Sequence, residues 1–195
     1  QIAYGIVLGN SDFDSLVPAS IINNMIQLSG NSTTNTLTAG ILLNEANNTN
    51  VYFNNVLITG NQTNATALCL YDAATAAVET ENINLVNNNF TSKAGGYIYY
   101  ITNVDTADFY NNFNNLYNWG LGTFSYLGAA VADMAAWQTA TADPINSLTY
   151  DPYYVSAVDL HIVNNIMNGT GMPIAGITTD IDGDIRNTTT PDIGA

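Results

Sequence analysis

Residues 51–60 have the sequence Val-Tyr-Phe-Asn-Asn-Val-Leu-Ile-Thr-Gly, in which a pair of asparagines separates two short apolar runs. The same pattern recurs along the chain. Asn24 and Asn55 are 31 residues apart, Asn55 and Asn88 are 33 apart, and Asn88 and Asn112 are 24 apart. This spacing is typical of one coil of a solenoid. The copies are Ile22-Asn23-Asn24-Met25, Phe53-Asn54-Asn55-Val56, Val86-Asn87-Asn88-Asn89-Phe90, Tyr110-Asn111-Asn112-Phe113 and Val163-Asn164-Asn165-Ile166.

The segments between the asparagine pairs have apolar residues at alternate positions, a pattern that predicts strands of about four to six residues. None of these strands can bury its apolar face alone. Winding the chain so that corresponding strands stack in parallel, about 4.8 Å apart, buries those faces and aligns the asparagines. The sequence therefore predicts an all-β fold, a single-stranded right-handed parallel β-helix. An up-and-down barrel needs shorter turns than the connections of about ten residues found here.

The composition excludes several classes of partner. Among 195 residues, 29 are Asn and 23 are Thr, which favours strands and turns over helices. Lys93 and Arg186 are the only basic side chains apart from one histidine, and the formal net charge is −14, so nucleic acid and anionic membranes are repelled. No apolar run is long enough for membrane insertion. A single cysteine, Cys69, excludes an internal disulfide.

The repeated strands over residues 1–116, together with the C-terminal third of the chain, resemble the secreted right-handed parallel β-helix proteins of Bacteroidetes, members of the pectate-lyase-like superfamily. Three segments are the most specific: MAAWQTATADPINS (134–147), YDPYYVSAVDLHI (150–162) and TDIDGDIRNTTTPDIGA (179–195). The resemblance implies β-helix coils over 1–116, a last coil and C-terminal cap over 151–195, and an extracellular or cell-surface location.

Residues 117–150 interrupt the repeat, and we expect them to form an insertion that plugs one end of the tube. Asp133 can cap a short helix that places Met134, Ala135 and Trp137 over the end, and Pro144 prevents the helix from continuing. Solenoids need covered ends because an open coil exposes core and strand edges.

The first coil has no such cover in the sequence. Its upper face is expected to meet preceding coils, another domain, or a second subunit that stacks end to end to form a homo-oligomer.

The acidic run near the C-terminus offers two interpretations. Asp180, Asp182 and Asp184 alternate around Gly183, a spacing that resembles part of a calcium loop. Alternatively, these carboxylates pair with Arg186 and with loop amides to fasten the cap, as the resemblance implies. Calcium is the only cofactor that the sequence suggests.

No residue pattern predicts a catalytic set. A lyase of the pectate-lyase type needs a Lys or Arg base, and only Lys93 and Arg186 are available. A glycosidase needs two carboxylates, and Asp105 and Asp108 resemble ordinary turn acids. His161 is expected to point outward from a strand, as either a base or a plain surface histidine. Sugar rings of neutral glycans could instead stack on a set of tyrosines: Tyr97, Tyr99, Tyr100, Tyr110 and Tyr117.

The sequence thus favours a non-catalytic extracellular structural β-helix: a surface stalk, an adhesin segment, or a filament subunit that stacks end to end. The competing hypothesis is a carbohydrate-active enzyme or glycan-binding module. The asparagine pairs are predicted to form the structural corners: Asn23, Asn24, Asn54, Asn55, Asn87, Asn88, Asn111, Asn112, Asn164 and Asn165.

Overall fold

The computed structural model describes residues 2–30, 37–73, 78–119, 122–142 and 146–195. Within these ranges the chain forms fourteen strands and one α-helix. The strands are β1 (Ala3–Ser11), β2 (Ala19–Ile22), β3 (Met25–Gly30), β4 (Thr38–Ala46), β5 (Thr49–Tyr52), β6 (Asn55–Gly60), β7 (Ala65–Tyr71), β8 (Ile83–Val86), β9 (Asn89–Lys93), β10 (Tyr97–Thr102), β11 (Phe109–Asn112), β12 (Asn115–Asn118), β13 (Ser125–Leu127) and β14 (Ala130–Val131), and the helix is α1 (Met134–Thr141).

The strands wind into a β-solenoid, because each strand from β1 to β10 pairs in parallel with the strand three places later in the sequence. Sheet A contains β1, β4, β7, β10 and β13, with β14 added antiparallel to β13. Sheet B contains β2, β5, β8 and β11, and sheet C contains β3, β6, β9 and β12. We call the successive triplets coils 1 to 4. The predicted all-β parallel β-helix with one short helix is confirmed, and its right-handed winding stays a prediction.

The apolar core fills the tube between the three sheets. Side chains of Ile41, Leu68 and Leu85 have no exposed surface, and they belong to one continuous cluster that runs through the coils. Parallel register places the same position of each coil in one column, so Ile22, Tyr52, Val86 and Asn112 are neighbours in sheet B.

The bend between sheets B and C is made by one left-handed residue followed by one asparagine. The left-handed residues have φ between 54° and 60°, a region that asparagine tolerates better than most residues. Two of the four are phenylalanines, so in those two coils the apolar residue before the asparagine adopts the left-handed conformation. The left-handed residues are Asn23, Phe53, Asn87 and Phe113, and the asparagines that follow them are Asn24, Asn54, Asn88 and Asn114.

This geometry corrects five of the predicted corner residues. Asn55 opens strand β6 instead of completing the bend. Asn111 and Asn112 lie within β11, because Tyr99 donates a hydrogen bond to Asn111 inside the tube and the bend falls at residues 113–114. Asn164 and Asn165 are outside the solenoid.

The C-terminal end of the tube is covered by the insertion. The Asp133 side chain caps α1 by accepting a hydrogen bond from the Ala136 N–H at 2.9 Å. Trp137 is fully buried against Tyr99, with ring centroids 5.0 Å apart. Ala135 is exposed, and Pro144 lies outside the described residues.

Residues 150–195, which include the segment 151–195 predicted as a last coil and cap, follow another course. They contain only isolated bridges and a 3₁₀ turn at Asn165–Met167, and they run along the outside of the tube. The partial coil after coil 4 is instead made by β13 and by Leu148, which pairs with Asn115. We call residues 150–195 the C-terminal strap.

Candidate functional site

A ladder of asparagines runs inside the bend from coil 1 to coil 4. The backbone N–H and the Nδ2 of Asn54 both donate to Oδ1 of Asn88, at 3.1 and 2.9 Å. Asn88 makes the same two bonds to Asn114, at 2.7 and 3.0 Å, and its Nδ2 also donates to the Val51 carbonyl of the preceding coil at 2.7 Å. Asn54, Asn88 and Asn114 are fully buried and Asn24 is half-buried, so neutral amides satisfy the hydrogen-bonding groups of the bend without any charge. The rungs are Asn24, Asn54, Asn88 and Asn114.

A second set of asparagines opens the strands of sheet C and binds the strap. The Tyr150 backbone exchanges two hydrogen bonds with the side chain of the coil 4 asparagine, at 2.8 and 2.9 Å. The buried Tyr154 hydroxyl accepts from the coil 3 asparagine at 3.0 Å, and the Leu160 carbonyl accepts from the coil 2 asparagine at 2.9 Å. The strap therefore crosses three successive coils. These asparagines are Asn55, Asn89 and Asn115.

Arg186 fastens the strap to coils 1 and 2. Its Nη2 donates to Asn23 Oδ1 and to the Gly194 carbonyl, both at 3.0 Å. The guanidinium lies 4.0 Å from the ring centroid of Phe53, a cation–π contact. Among the described residues Arg186 forms no ion pair, so it holds the strap through neutral groups and an aromatic ring.

The acidic run forms a tight hairpin in the strap. Asp180 Oδ1 accepts from the backbone N–H groups of Asp182 and Asp184, at 3.0 and 2.9 Å, and Gly183 supplies the positive φ of 86°. The described residues bring no three Asp, Glu, His or Cys side chains together in a way that could hold a metal ion. Asp180 thus bonds loop amides as the loop-fastening interpretation predicts, but among the described residues none of the three carboxylates forms the predicted ion pair with Arg186, whose guanidinium bonds Asn23 and Gly194 instead.

His161 joins the hairpin to the rest of the strap. Its Nε2 lies 2.7 Å from Asp182 Oδ2, and its Nδ1 forms a short hydrogen bond to Asp159. The bonds to Asp159 and then to Asp182 raise the pKa of His161, and the bond from His161 lowers the pKa of Asp159. The imidazole therefore bridges two carboxylates most strongly when it is charged.

We expect this bridge to hold the hairpin best between about pH 4 and pH 6.5. The contribution of His161 is complete below its ordinary pKa and is lost as the pH rises through the raised value. The contribution of Asp159 is complete above its ordinary pKa and is lost as the pH falls through the lowered value. Hydrogen exchange of amides 178–186, corrected for intrinsic rates, should therefore be slowest in this window. A His161→Gln variant should show a flat profile, and an unchanged profile in that variant would contradict the assignment.

The residues considered for catalysis have structural roles. Asp105 caps the 3₁₀ turn Thr106–Asp108 by accepting from the Ala107 N–H at 3.1 Å, and Asp108 accepts in return from the Asp105 N–H at 3.2 Å. Lys93 pairs with Asp151 at 3.8 Å. Lys93 is thus engaged in an ion pair, and Asp105 and Asp108 are engaged in capping one short turn.

Cys69 lies on sheet A with 1% of its surface exposed. Burial raises the pKa of its thiol to about 12, so it stays protonated near neutral pH and is a poor nucleophile.

The five tyrosines proposed for sugar stacking separate onto different faces. Tyr97 and Tyr100 lie together on the outer face of sheet A, where Tyr100 stacks on Tyr126 with ring centroids 4.7 Å apart. Since stacked rings cover each other's faces, this column offers sugars mainly ring edges. Tyr99 points inward and is fully buried, whereas Tyr110 and Tyr117 lie on sheets B and C.

Two residues of the ladder and the strap contacts are not among the sites predicted from the sequence. Asn114 forms the fourth rung and belongs to the second of the two asparagine pairs in residues 111–115, whereas the predicted corner is the first pair; the signal that favours Asn114 is its spacing of 26 residues from Asn88. Tyr154 is half-buried between strap and solenoid, and nothing in its local sequence distinguishes it from the neighbouring exposed Tyr153.

Comparisons with protein-family models, with curated proteins and with solved structures gave no match to this chain. The assignment of a parallel solenoid rests on the observed strand pairing, and the resemblance to pectate-lyase-like proteins stays a prediction. Among the described residues, no helix has both the length and the apolar character needed to cross a membrane.

Proposed function

We propose that this chain is a non-catalytic structural segment of an extracellular or cell-surface assembly, such as a stalk or an adhesin segment. The observation that carries the proposal is the inner ladder, which links all four coils through buried neutral amides. Such a ladder stiffens the tube without adding a reactive or charged group to its interior.

The strap adds a second longitudinal connection. It contacts the asparagine of coil 4, then those of coils 3 and 2, and Arg186 returns it to Asn23 in coil 1. Separation of neighbouring coils therefore requires the loss of ladder bonds and strap bonds together. A rigid rod of this kind, whose coils are linked internally by neutral amides, suits a load-bearing role outside a cell.

The ends of the tube bear on the proposed stacking of filament subunits. Helix α1 and strand β14 cover the C-terminal end, with Trp137 buried beneath the helix. Direct end-to-end stacking would have to displace this cover. The arrangement favours a place at one end of a solenoid assembly over repeated addition of identical subunits.

The test combines an activity screen with a digestion. Lyase and hydrolase assays on neutral and uronic-acid polysaccharides are expected to show no turnover. Trypsin should leave the folded chain intact, because Lys93 and Arg186 are both held by tertiary contacts, and should cut the urea-unfolded chain after both. Turnover that is lost in Asp105→Asn but kept in the control Asp14→Asn would overturn the proposal.

A glycan-binding role is the second candidate, and one cluster favours it. Trp119 is 49% exposed, Tyr117 packs edge-on against it, and Lys93 lies 4.4 Å from its ring centroid beside Asp151. The nearby Tyr153 is 64% exposed. Exposed aromatic rings beside hydrogen-bonding charges suit the apolar faces and hydroxyls of neutral sugars.

This candidate has its own measurement. Retention on a neutral glycan panel should be lost in Trp119→Ala and kept in Tyr126→Ala, which removes a stacked tyrosine from sheet A. The glycan site would be contradicted if the unaltered chain were not retained, or if both variants were retained equally.

A further inference from the structure

The left-handed bend residues form a column beside the strap, and coil 2 differs from its neighbours in this column. The column holds Asn23 in coil 1, Phe53 in coil 2 and Asn87 in coil 3. The Asn87 side chain exchanges two hydrogen bonds with the Met172 backbone, at 2.6 and 2.8 Å. Asn23 Nδ2 donates to the Thr179 carbonyl at 2.8 Å. The phenylalanine between these two amides offers the strap no such bond.

The strap arches away from coil 2 over residues 173–178. Among the described residues, none in this stretch forms a hydrogen bond to the solenoid. Coils 1 and 3 are about 10 Å apart, whereas the same stretch of chain could span about 20 Å if it were extended. A turn takes up the excess length: the Ile177 N–H donates to the Ile174 carbonyl at 3.2 Å, and Gly176 has a φ of 84°.

The arch leaves a cavity of about 380 Å³ between the strap and Phe53. This volume lies within the range of small-molecule binding sites. Coils 1 and 3 flank the cavity, so it lies along the side of the tube and not at an end. Arg186 is the only charged residue among the described residues that line it. Most of the other walls are apolar, from Pro173, Ile174, Ala175, Ile177 and Pro191.

The Arg186 guanidinium keeps one nitrogen available. Its Nε and Nη2 donate to three neutral acceptors, whereas Nη1 has no hydrogen-bond partner among the described residues. Burial lowers the pKa of Arg186, and the carboxylates of Asp180 and Asp192 offset part of this effect, although neither lies within ion-pair distance. Because a guanidinium stays charged near neutral pH, Arg186 is a partly buried cation without a direct counter-ion in the described part of the chain.

We infer that this cavity binds a small carboxylate that carries one negative charge and an apolar body. The carboxylate accepts a charge-assisted hydrogen bond from Arg186 Nη1, and the apolar body packs against the prolines and isoleucines of the arch. Asp180 and Asp192 repel a second negative charge. The mainly apolar walls offer few partners to the hydroxyls of a sugar acid. The inference goes beyond the proposed structural function and does not rest on it.

The experiment titrates the full chain with benzoate and follows its amide signals by nuclear magnetic resonance. Saturable shifts are expected in residues 173–178 and at the Arg186 Nε–H. The Arg186 amide donates to the Thr178 carbonyl at 2.9 Å, and opening of this contact releases the guanidinium from its place. Exchange of that amide should therefore slow about tenfold when benzoate is at ten times its dissociation constant.

Three further probes on the natural chain separate the parts of the ligand. Benzyl alcohol keeps the ring without the charge, glucuronate keeps the carboxylate but adds hydroxyls, and inorganic phosphate has no apolar body. Each should bind at least about tenfold more weakly than benzoate. These comparisons need no substitution, so they do not depend on how any variant folds.

Arg186→Gln should weaken benzoate binding at least about tenfold. Because Arg186 also fastens the strap, protection of the Met172 amide, which is bonded to Asn87, reports whether the strap is still in place in this variant. If that protection is lost, the probe series on the natural chain decides. Lys93→Gln is the matched control, since it removes the same amount of charge far from the cavity lining and should bind benzoate as the natural chain does.

Several results would overturn the inference. One is the absence of a saturable benzoate shift up to about 10 mM, and another is benzyl alcohol, glucuronate or phosphate that binds as tightly as benzoate. Unchanged binding in an Arg186→Gln variant with an intact strap, or loss of binding in Lys93→Gln, would place the carboxylate elsewhere. Turnover of a polysaccharide would refute the structural function and leave the benzoate result unaffected, so the two failures are distinguishable.

Discussion

Replacing Asn88 by alanine is expected to lower the free energy of unfolding by about 3–5 kcal/mol. The side chain of Asn88 accepts from the N–H and Nδ2 of Asn54 and donates to Val51 and Asn114, all in a fully buried bend. Alanine leaves the Asn54 N–H and the Val51 carbonyl without these partners. A buried polar group without a partner costs about 1–3 kcal/mol, and several such groups are created at once.

Asn84 provides a matched control four residues earlier. It is half-buried on the outer face of sheet B and makes one side-chain bond, to Asn50 at 3.0 Å. Asn84→Ala should cost less than about 1 kcal/mol, because water can replace that bond. Urea unfolding followed by far-ultraviolet circular dichroism measures both variants. Similar losses for Asn84→Ala and Asn88→Ala would mean that the inner ladder has no special importance.

Replacing Trp137 by alanine is expected to cost about 3–5 kcal/mol. The indole is fully buried beneath α1, 5.0 Å from the ring of Tyr99 and 6.2 Å from that of Phe109. Its removal leaves a cavity at the end of the tube and loosens the helix that covers it. The other tryptophan, Trp119, is 49% exposed and supplies the control within the same chain.

Trp119→Ala should cost less than about 1 kcal/mol, since its ring is already in contact with water. Urea unfolding followed by circular dichroism avoids dependence on the tryptophan signal itself. If Trp137→Ala were no more damaging than Trp119→Ala, α1 would not be a plug that stabilises the tube. Exchange of β10 amides should rise in Trp137→Ala and stay unchanged in Trp119→Ala.

The two variants probe parts of the molecule that differ in how well the sequence predicts them. The rung at Asn88 is visible in the sequence, because doubled asparagines recur at the interval of one coil. The rung at Asn114 is not, because residues 111–115 contain two asparagine pairs and local pattern alone cannot choose between them. The hydrogen bond from Tyr99 to Asn111 draws that asparagine into the tube and moves the bend to Asn114.

In the strap, the structure departs further from what the sequence pattern predicts. The segment contains Asn164 and Asn165 between apolar residues, which is the same local signal as a coil corner. In the structure Asn164 caps a 3₁₀ turn on the outside of the solenoid. The tube is already closed by β13, β14 and α1, so no open end is left on which this segment could wind.

What the sequence determined by itself is the parallel solenoid, the buried asparagine ladder and the capped helix at one end. These features follow from periodicity and from local capping, both of which act over a few residues or at a regular interval. Only the tertiary structure decided the path of the strap, the bridge at His161 and the direction of the ladder. Those depend on contacts between residues far apart in the chain, such as Arg186 with Asn23, and no local pattern records which distant donor meets which acceptor.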